Sequence, residues 1–449
     1  MDTRIGRYPR VLVLTRYPFN QLDGGGIQLI NYFSRWPQDH LAQLYFWQAV
    51  APRDESVCRR FYVLGPREIR RHWLHGLYDQ YRWVRHNAIV LGNRMAQAGR
   101  GAAQTANRCG FTRWMNKSLE RLGLSYAAKG TLSRELEEFI DAFAPDVLFT
   151  TLGDIANVRL SRAITDRFSI PIAVHLNDDW MADQYSVGPY SLIMRRRLDE
   201  ELKALLERAA QRWTVSDMMS EAMGTRYGVP FETLPASVNC AQWRCARQEP
   251  IDKRVLTVVY AGTIFEFAQK SSLQDVSDAV AQLNDQGLAA QLRIYAPAAH
   301  MADYPSYFKA ASTRVVPYRS RDELLRLING ADLLVIPVNF DSESRRFIGY
   351  SMPGKVSAYM ATGIPILVYG PPDVPPVHEA VSYQYACVVQ ERDPDALRSA
   401  LLTMLTDREL RSRFSSVALG RAADFYDESI VCENFRQALA RICRPASCV

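Results

Sequence analysis

The 449-residue sequence shows no apolar run of membrane-helix length, no signal-peptide pattern near its first residues and no closely spaced cysteine pair of the C-x-x-C type. No run reaches the ~18 apolar residues of a membrane helix. Near the N-terminus, Pro9 and Arg10 interrupt any stretch resembling the roughly 7–15 apolar residues of a signal peptide. The eight cysteines form no C-x-x-C pair and no zinc-type spacing with histidine. We therefore expect reduced thiols, no metal site and a cytoplasmic location, with contact to the inner face of the cytoplasmic membrane left open.

A large charge of one sign is also missing. The net charge of +6, from 54 basic and 48 acidic residues, is too small for a dedicated nucleic-acid binder. The excess is concentrated between Arg67 and Arg121, where ten Arg and one Lys face three acidic residues. The surrounding stretch, 66–124, is rich in Arg and Trp and is predicted to be a helical insertion. Such a composition suits contact with anionic lipid headgroups, but a solvated helical insertion explains it equally well.

Short buried strands alternate with helices along most of the chain, a pattern that predicts parallel α/β sheets. The strands of a first series are predicted at 10–15, 41–47, 56–63, 146–151, 172–175 and 212–215. Those of a second series are predicted at 255–262, 291–295, 314–316, 333–336, 366–368 and 386–389. The stretch 235–254 has no periodic pattern and is interpreted as a linker. We predict an N-terminal domain over 1–238, a C-terminal domain over 239–428, and a final helix and tail over 429–449 that returns to the N-terminal domain.

Ligands of open α/β sheets bind beyond the carboxyl ends of the strands, so residues that follow strands are the candidate site residues. Gly24, Gly25 and Gly26 follow the first strand and precede a helix, where glycine lets the backbone approach an anion. A flexible turn is the alternative interpretation. They do not form a G-x-G-x-x-G fingerprint, which disfavours a dehydrogenase.

A second candidate group follows the strand at 172–175. His175 is followed by Asp178 and Asp179, a combination that can orient a hydroxyl or act as an acid and base. A structural histidine beside a solvated Asp pair is the alternative.

Basic residues mark two further strand ends, in the second series. Gly262 and Thr263 end a strand there, and Lys270 lies close enough in sequence to neutralise a diphosphate. Further on, a helix is predicted to start near Pro353 and to stop at Gly363. Its N-terminus carries Lys355, so the helix dipole and the side chain both favour an anion.

The stretch around Lys355 resembles the donor-site signature of GT-B glycosyltransferases, in particular glycosyltransferase family 4, P-x-K-x-x-E-Y-x-A-x-G-x-P. The matching positions are Pro353, Lys355, Tyr359, Ala361, Gly363 and Pro365. Segments 24–26, 214–217, 261–263 and 331–337 also resemble that family, in the same order. One position departs from it: Ala358 stands where the family has a ribose-binding Glu, and Tyr350 stands where a second acidic residue is usual. Glu343 or Asp341 is a candidate replacement.

The resemblance implies an α/β GT-B fold, with two Rossmann-like doubly wound domains facing a central cleft. It also implies transfer of a sugar from a nucleoside diphosphate sugar to an acceptor hydroxyl, with retention of configuration and without a cofactor or metal. Envelope polysaccharide or glycolipid synthesis would supply a glycan or lipid-linked acceptor. The catalytic residues would be His175, Lys270 and Lys355, with Asp178 and Asp179 on the acceptor side. The donor-binding residues would be Gly24, Gly25, Gly26, Gly262, Thr263, Tyr318, Glu343, Ser351, Met352, Pro353 and Gly354.

Two alternatives remain open from the sequence. A nucleotide-sugar epimerase shares the GT-B architecture and would act without an acceptor. A catalytically silent envelope-assembly protein would instead bind membrane or partners through 66–124. The sequence names neither the sugar, the base nor the acceptor.

Overall fold

The structure is a computed structural model. It describes residues 8–21, 24–46, 52–70, 129–185, 189–245, 255–298, 304, 307–308, 310–318 and 320–443. The chain forms two compact units. The first comprises Met1–Trp213, Met223–Glu232 and Phe435–Val449, and the second comprises Thr214–Ala222 and Thr233–Asn434.

The N-terminal part of the chain is built on a seven-stranded sheet. Its strands and those of a separate two-stranded ribbon are β1 (Val11–Thr15), β2 (Leu41–Phe46), β3 (Arg60–Leu64), β4 (Ile69–Arg70), β5 (Lys129–Gly130), β6 (Val147–Thr151), β7 (Ile172–Leu176), β8 (Gln211–Thr214) and β9 (Glu232–Thr233). The sheet order is β3-β2-β1-β6-β7-β8-β9, and β4 pairs with β5. Strand β1 is parallel to β2 and β6, with Val11 opposite Leu41 and Val147. All five of its residues are buried, as expected of a strand covered on both faces.

Helices connect these strands. They are α1 (Gly24–Phe33), α2 (Arg134–Phe143), α3 (Ile155–Phe168), α4 (Trp180–Asp183), α5 (Ser191–Arg208) and α6 (Asp217–Tyr227), with a short 3-10 turn at Gln38–His40. Side-chain caps fix two helix starts: Ser133 accepts from the Leu136 N–H, and Asp154 accepts from the Asn157 N–H.

The C-terminal part contains a six-stranded sheet. Its strands are β10 (Leu256–Ala261), β11 (Ala290–Pro297), β12 (Thr313–Tyr318), β13 (Leu333–Pro337), β14 (Ile366–Tyr369) and β15 (Cys387–Val389). The order is β12-β11-β10-β13-β14-β15, and all neighbours run parallel. The chain extends to one side from β10 and to the other from β13, so a topological switch point lies between them.

Alternate residues of the second sheet face two separate cores. Val259 and Ile336 lie in one core, and Val258 and Val335 lie in the other. The helices of this part are α7 (Cys240–Cys245), α8 (Lys270–Asp285), α9 (Arg321–Ile328), α10 (Ser342–Ile348), α11 (Lys355–Thr362), α12 (Pro375–Tyr383), α13 (Pro394–Thr406), α14 (Arg408–Arg421) and α15 (Glu428–Ile442), with a π-helical turn at Ala422–Tyr426. The prediction of two doubly wound α/β domains is confirmed.

Several local predictions need correction. Gly24, Gly25 and Gly26 form the first turn of α1 rather than a loop before it. The predicted linker contains α7 and is anchored by the Val238 N–H, which donates to the Tyr426 carbonyl at 2.9 Å. This contact joins residues that are far apart in the sequence, and such contacts leave no periodic pattern. For this reason the sequence did not predict an ordered segment here. Within the predicted helical insertion, Ile69–Arg70 is a strand, and residues 71–124 lie outside the described residues.

The last helix contributes to the first unit through Phe435. Its ring lies 5.1 Å from Phe33, 5.2 Å from Phe149 and 5.4 Å from Trp213. These edge-on and tilted contacts make the C-terminal segment part of the N-terminal core. In the part of the chain that the structure describes, no helix combines the length and apolarity needed to span a bilayer.

Candidate functional site

A cleft lies at the carboxyl ends of β10, β13 and β14, beside the switch point of the second sheet. It spans about 350 Å³, including space that is open to solvent. Its lining residues are Gln269, Ile336, Pro337, Val338, Ile348, Ser351, Pro353, Lys355, Val374 and Pro376. Open parallel sheets bind their ligands at such a place.

Helix α11 brings Lys355 to this cleft. Tyr359 lies one turn after Lys355, so the two side chains share a face of the helix. The Tyr359 hydroxyl accepts a hydrogen bond of 2.7 Å from the Ala261 N–H and thereby fixes α11 to the end of β10. The helix ends at Gly363, whose φ of 69° is left-handed. The four-residue spacing between Lys355 and Tyr359 therefore allows the Tyr359 hydrogen bond to hold Lys355 against the end of β10.

The ammonium group of Lys355 lies over the ring of Tyr260, with Nζ 3.8 Å from the ring centroid. Within the described ranges, no carboxylate lies within 4.0 Å of it. Burial lowers the pKa of Lys355 from 10.5 to about 7, because the charged form loses its hydration. The residue itself is half-buried and lines the cleft, so a ligand can reach this cation.

The start of α11 adds a second positive field at the same place. Gly354, which precedes the helix, is exposed, and no side chain caps the first turn. The Val356 N–H donates to the Pro353 carbonyl, but the other first-turn N–H groups and the helix dipole favour an anion there, and Lys355 occupies the first helical position. The cleft therefore combines a half-buried lysine with an open helix N-terminus, which is the chemistry of a phosphate site.

Gly262 shapes the site through its backbone. Its φ of 135° is strained for any residue with a Cβ, and an added Cβ would lie 2.9 Å from Lys355 Nζ. Its N–H donates to the Tyr295 carbonyl at 2.8 Å. That donor is therefore already used by the neighbouring strand, and Gly262 makes room for Lys355. A donor-binding role for Gly262 stays a prediction.

We expect the substitution Gly262→Ala to lower the free energy of unfolding by about 1–3 kcal/mol, the usual cost of a residue in a sparsely populated backbone region. It should also weaken the binding of a diphosphate anion in the cleft, because the methyl group displaces the Lys355 ammonium. Chemical denaturation and calorimetric titration with pyrophosphate measure the two effects. Gly287→Ala, at φ 93° with no neighbour near the added Cβ, is the matched control. Equal loss of pyrophosphate affinity in both variants would contradict the proposed role of Gly262.

Comparisons with known proteins agree with this geometry. Residues 256–407 match the family model described as Glycosyl transferases group 1. That segment contains the whole of the cleft lining. The chain carries a glycosyltransferase group 1 domain.

Solved structures of other proteins are similar to this chain over nearly its whole length. A glycosyltransferase from Rickettsia africae ESF-5 is similar with a TM-score of 0.60 and 9% identity, over 97% of this chain and 99% of that one. Sucrose-phosphate synthase from Thermosynechococcus elongatus is similar with a TM-score of 0.57 and 13% identity, over 94% and 96%. The Anabaena protein HepE, solved with UDP and glucose, is similar with a TM-score of 0.55 and 11% identity, over 95% and 98%. These likenesses establish the GT-B fold. No curated protein sequence matches the chain.

Lys270, the second lysine predicted to bind the donor, has an acidic partner. Lys270 begins α8, and its Nζ lies 3.4 Å from Glu266 Oε1 and 4.1 Å from the ring centroid of Tyr307. The preceding residue, Gln269, lines the cleft. Lys270 therefore lies beside the cleft, but its charge is partly compensated.

The remaining predicted donor residues are distributed around the C-terminal unit. Ser351 and Pro353 line the cleft, whereas Met352 packs against one core. Tyr318 ends the edge strand β12, is half-buried, and has its pKa raised by burial. The carbonyl oxygen of Thr263 accepts a hydrogen bond of 2.8 Å from the Tyr260 hydroxyl.

The two acidic candidates on α10 differ. Asp341 caps the helix and accepts from the Ser344 N–H at 2.8 Å, and these hydrogen bonds lower its pKa. Glu343 is exposed in the first turn. Since Asp341 is committed to the cap, Glu343 is the available carboxylate.

The N-terminal candidates lie in the other unit. His175 lies in β7 with no exposed surface, and its ring meets Tyr32 edge-on at 5.7 Å. This buried position fits the structural alternative, and a catalytic role for His175 stays a prediction. Asp179 forms a two-pronged ion pair with Arg226 at 2.7 and 2.8 Å, whereas Asp178 is exposed. Gly26 is required by packing, since an added Cβ would lie 2.6 Å from the Asn20 carbonyl oxygen.

Seven of the ten lining residues were not predicted as site residues: Gln269, Ile336, Pro337, Val338, Ile348, Val374 and Pro376. Those at the end of β13 and after β14 could have been found by the rule about strand ends. No sequence pattern distinguishes Gln269 as a lining residue, because a polar residue before a helix is common.

Proposed function

We propose that this glycosyltransferase uses a nucleoside diphosphate sugar as donor and transfers the sugar to an acceptor hydroxyl. The observation that carries the proposal is the Lys355 ammonium, which is buried in a cleft without a carboxylate among the described residues. A buried cation of this kind is costly unless an anion completes it. HepE, one of the structural neighbours, was solved with UDP and glucose, which supports a diphosphate as that anion.

The chemistry follows from charge development. As the bond between the sugar and the donor phosphate breaks, the sugar becomes oxocarbenium-like and the departing diphosphate gains negative charge. Lys355 and the N-terminus of α11 stabilise that charge at a fixed position, and Lys270 is a second cation nearby in the fold. We propose that no divalent metal is required. In the retaining mechanism that the resemblance implies, the donor phosphate itself accepts the proton of the acceptor hydroxyl.

The acceptor would bind to the N-terminal unit, where Asp178 and Asp179 are located. We propose an acceptor of envelope polysaccharide or glycolipid synthesis, presented at the inner face of the cytoplasmic membrane. The basic and aromatic stretch predicted over 66–124 supports a lipid-linked acceptor, and most of it lies outside the described residues.

Glu343 is the proposed ribose-binding carboxylate, because Ala358 and Tyr350 occupy the family's acidic positions. Replacing it with glutamine should weaken UDP binding about tenfold, the effect of losing one charge-assisted hydrogen bond. Binding of pyrophosphate, which has no ribose, should not change. Isothermal titration of both ligands measures the difference. Glu391→Gln, another exposed position of the same unit, is the control, and equal weakening of both ligands would reject the assignment.

The decisive experiment is a panel of UDP-, GDP- and TDP-sugars, run with and without acceptor and with a chelator present. Release of nucleoside diphosphate that depends on the acceptor supports the proposal, and the anomeric configuration of the product tests retention. Conversion of the nucleotide sugar without an acceptor would indicate the epimerase. Absence of binding to every nucleoside diphosphate would contradict the proposed donor class, and loss of activity with the chelator would contradict metal independence.

A further inference from the structure

The first turn of α5 exposes a cluster of large apolar side chains. Leu192 is 81% exposed, Ile193 is 56% exposed and Tyr190, just before the helix, is 50% exposed. Leu192 is the most exposed large apolar residue in the described part of the chain. The opposite face of α5 is firmly packed, with Met194, Leu198, Leu202, Leu205 and Leu206 buried. Poor packing of α5 therefore does not explain why these apolar side chains are exposed, and another reason is needed.

Arginines follow the apolar cluster within the next turn. Arg195, Arg196 and Arg197 are exposed, and Arg196 pairs with Glu200 at 2.8 Å. Arg195 and Arg197 form no salt bridge within 4.0 Å among the described residues, and Arg195 interacts at longer range with Asp199, one turn further along the helix. The first turn contains no acidic residue, and no side chain caps it. The end of α5 is thus apolar at its tip and positive just behind it, with the helix dipole adding to the positive field.

The position of α5 in the fold adds a functional argument. The helix ends at Arg208, just before β8 begins at Gln211. Its C-terminus therefore lies near the amino end of that strand, and its first turn lies toward the carboxyl edge of the sheet. That edge is where an open α/β domain binds its ligand. The exposed tip therefore belongs to the side of the N-terminal unit at which an acceptor would arrive.

We propose that Tyr190, Leu192 and Ile193, with Arg195 and Arg197, form a docking tip for an anionic lipid bilayer. The order of side chains matches the depth profile of a membrane. Leucine and isoleucine enter the boundary of the acyl chains, and arginines about one turn, or roughly 5.4 Å, behind them meet the phosphates. A protein partner has no need of this layered order. The lipid-linked character of the acceptor rests on the proposed function, but bilayer binding by the tip does not.

Vesicle flotation of the full-length protein tests the proposal. Vesicles of phosphatidylcholine alone are compared with vesicles containing about 30% phosphatidylglycerol. We expect binding to the anionic vesicles, reduced by raised salt, since the headgroup attraction is screened. The double variant Leu192→Ser/Ile193→Ser should bind at least about tenfold less, because it loses two apolar anchors. Arg195→Glu/Arg197→Glu should lose the preference for anionic vesicles.

Two controls separate docking from general effects. Leu402→Ser removes an exposed leucine from α13 in the other unit and should bind vesicles like the unaltered protein. All altered side chains are exposed, so equal melting temperatures are expected and are measured beside the flotation. Activity on a water-soluble acceptor should be retained by both tip variants, which distinguishes failed docking from a wrong donor assignment.

Three results would overturn the proposal. One is no binding of the unaltered protein to anionic vesicles. Another is full binding by the tip variants together with loss of binding when Arg70, Arg71, Arg82 and Arg85 are changed to Glu, which would assign the membrane contact to the stretch 66–124. The third is a self-association of the unaltered protein, seen by light scattering, that the serine variant abolishes while vesicle binding is unchanged. The tip would then be a contact between two copies of the chain.

Discussion

Replacing Lys355 with methionine should slow sugar transfer strongly and at the same time raise the stability of the protein. The ammonium is the cation that we assign to the departing diphosphate, so kcat/KM should fall about 10²–10³-fold or more, as when one charge-stabilising donor is removed. Methionine fills a similar volume over the Tyr260 ring without a buried charge. The melting temperature should therefore increase, by about 2–4 °C for each kcal/mol gained. Steady-state kinetics and thermal unfolding measure the two effects.

The opposite signs of these effects make the test informative. A residue needed only for folding would lose activity and stability together. Lys203→Met is the matched control, since Lys203 is exposed on α5 and lies 3.9 Å from Glu207. It should change neither kinetics nor stability by much. Retention of full activity by Lys355→Met would remove the central support of the proposed function.

Nucleotide binding should weaken as pH rises above about 7, because only the protonated form of Lys355 attracts a diphosphate. The pKa of Lys355 in the free protein is about 7. Affinity for UDP, expressed relative to that of Lys355→Met, should be constant below this value and fall by up to tenfold per pH unit above it. Titration of the diphosphate itself is common to both proteins and cancels. The bound anion raises the lysine pKa, so the decline should level off at high pH.

The same lowered pKa has a consequence for stability with a definite sign. Between pH 7 and 10.5 the unfolded chain keeps the lysine proton that the folded chain has released, so stability should rise with pH in this window. Relative to Lys355→Met, the unfolding free energy should increase by up to about 1.4 kcal/mol per pH unit. Denaturation at pH 6, 8 and 10 measures it. A difference independent of pH would show that Lys355 is not desolvated as its position over Tyr260 requires.

Patterns that depend on near neighbours were predictable from the sequence. Buried strands such as Leu333–Pro337 are read from continuous apolar runs, and the stop of α11 at Gly363 follows from the left-handed freedom of glycine. The helix predicted to start near Pro353 is α11. Local interactions within a few residues determine these features, and the sequence states them directly.

Features that depend on distant contacts were not predictable. Nothing near Val238 indicates its bond to Tyr426, and nothing near Gly262 indicates that its N–H is already paired with Tyr295. The cluster around Phe435 and the exposed tip at Leu192 likewise depend on what the fold covers and leaves open.

The amino-acid sequence by itself determined that the protein consists of two α/β domains and that a lysine follows Pro353 at a helix start. Only the tertiary structure decided that this lysine lies over Tyr260 and beside Gly262, where a Cβ has no room. It also decided that no carboxylate among the described residues pairs with the lysine. The reason is physical: strand and helix periods are local, whereas burial, pKa and the availability of a charge depend on every group that folding brings into contact.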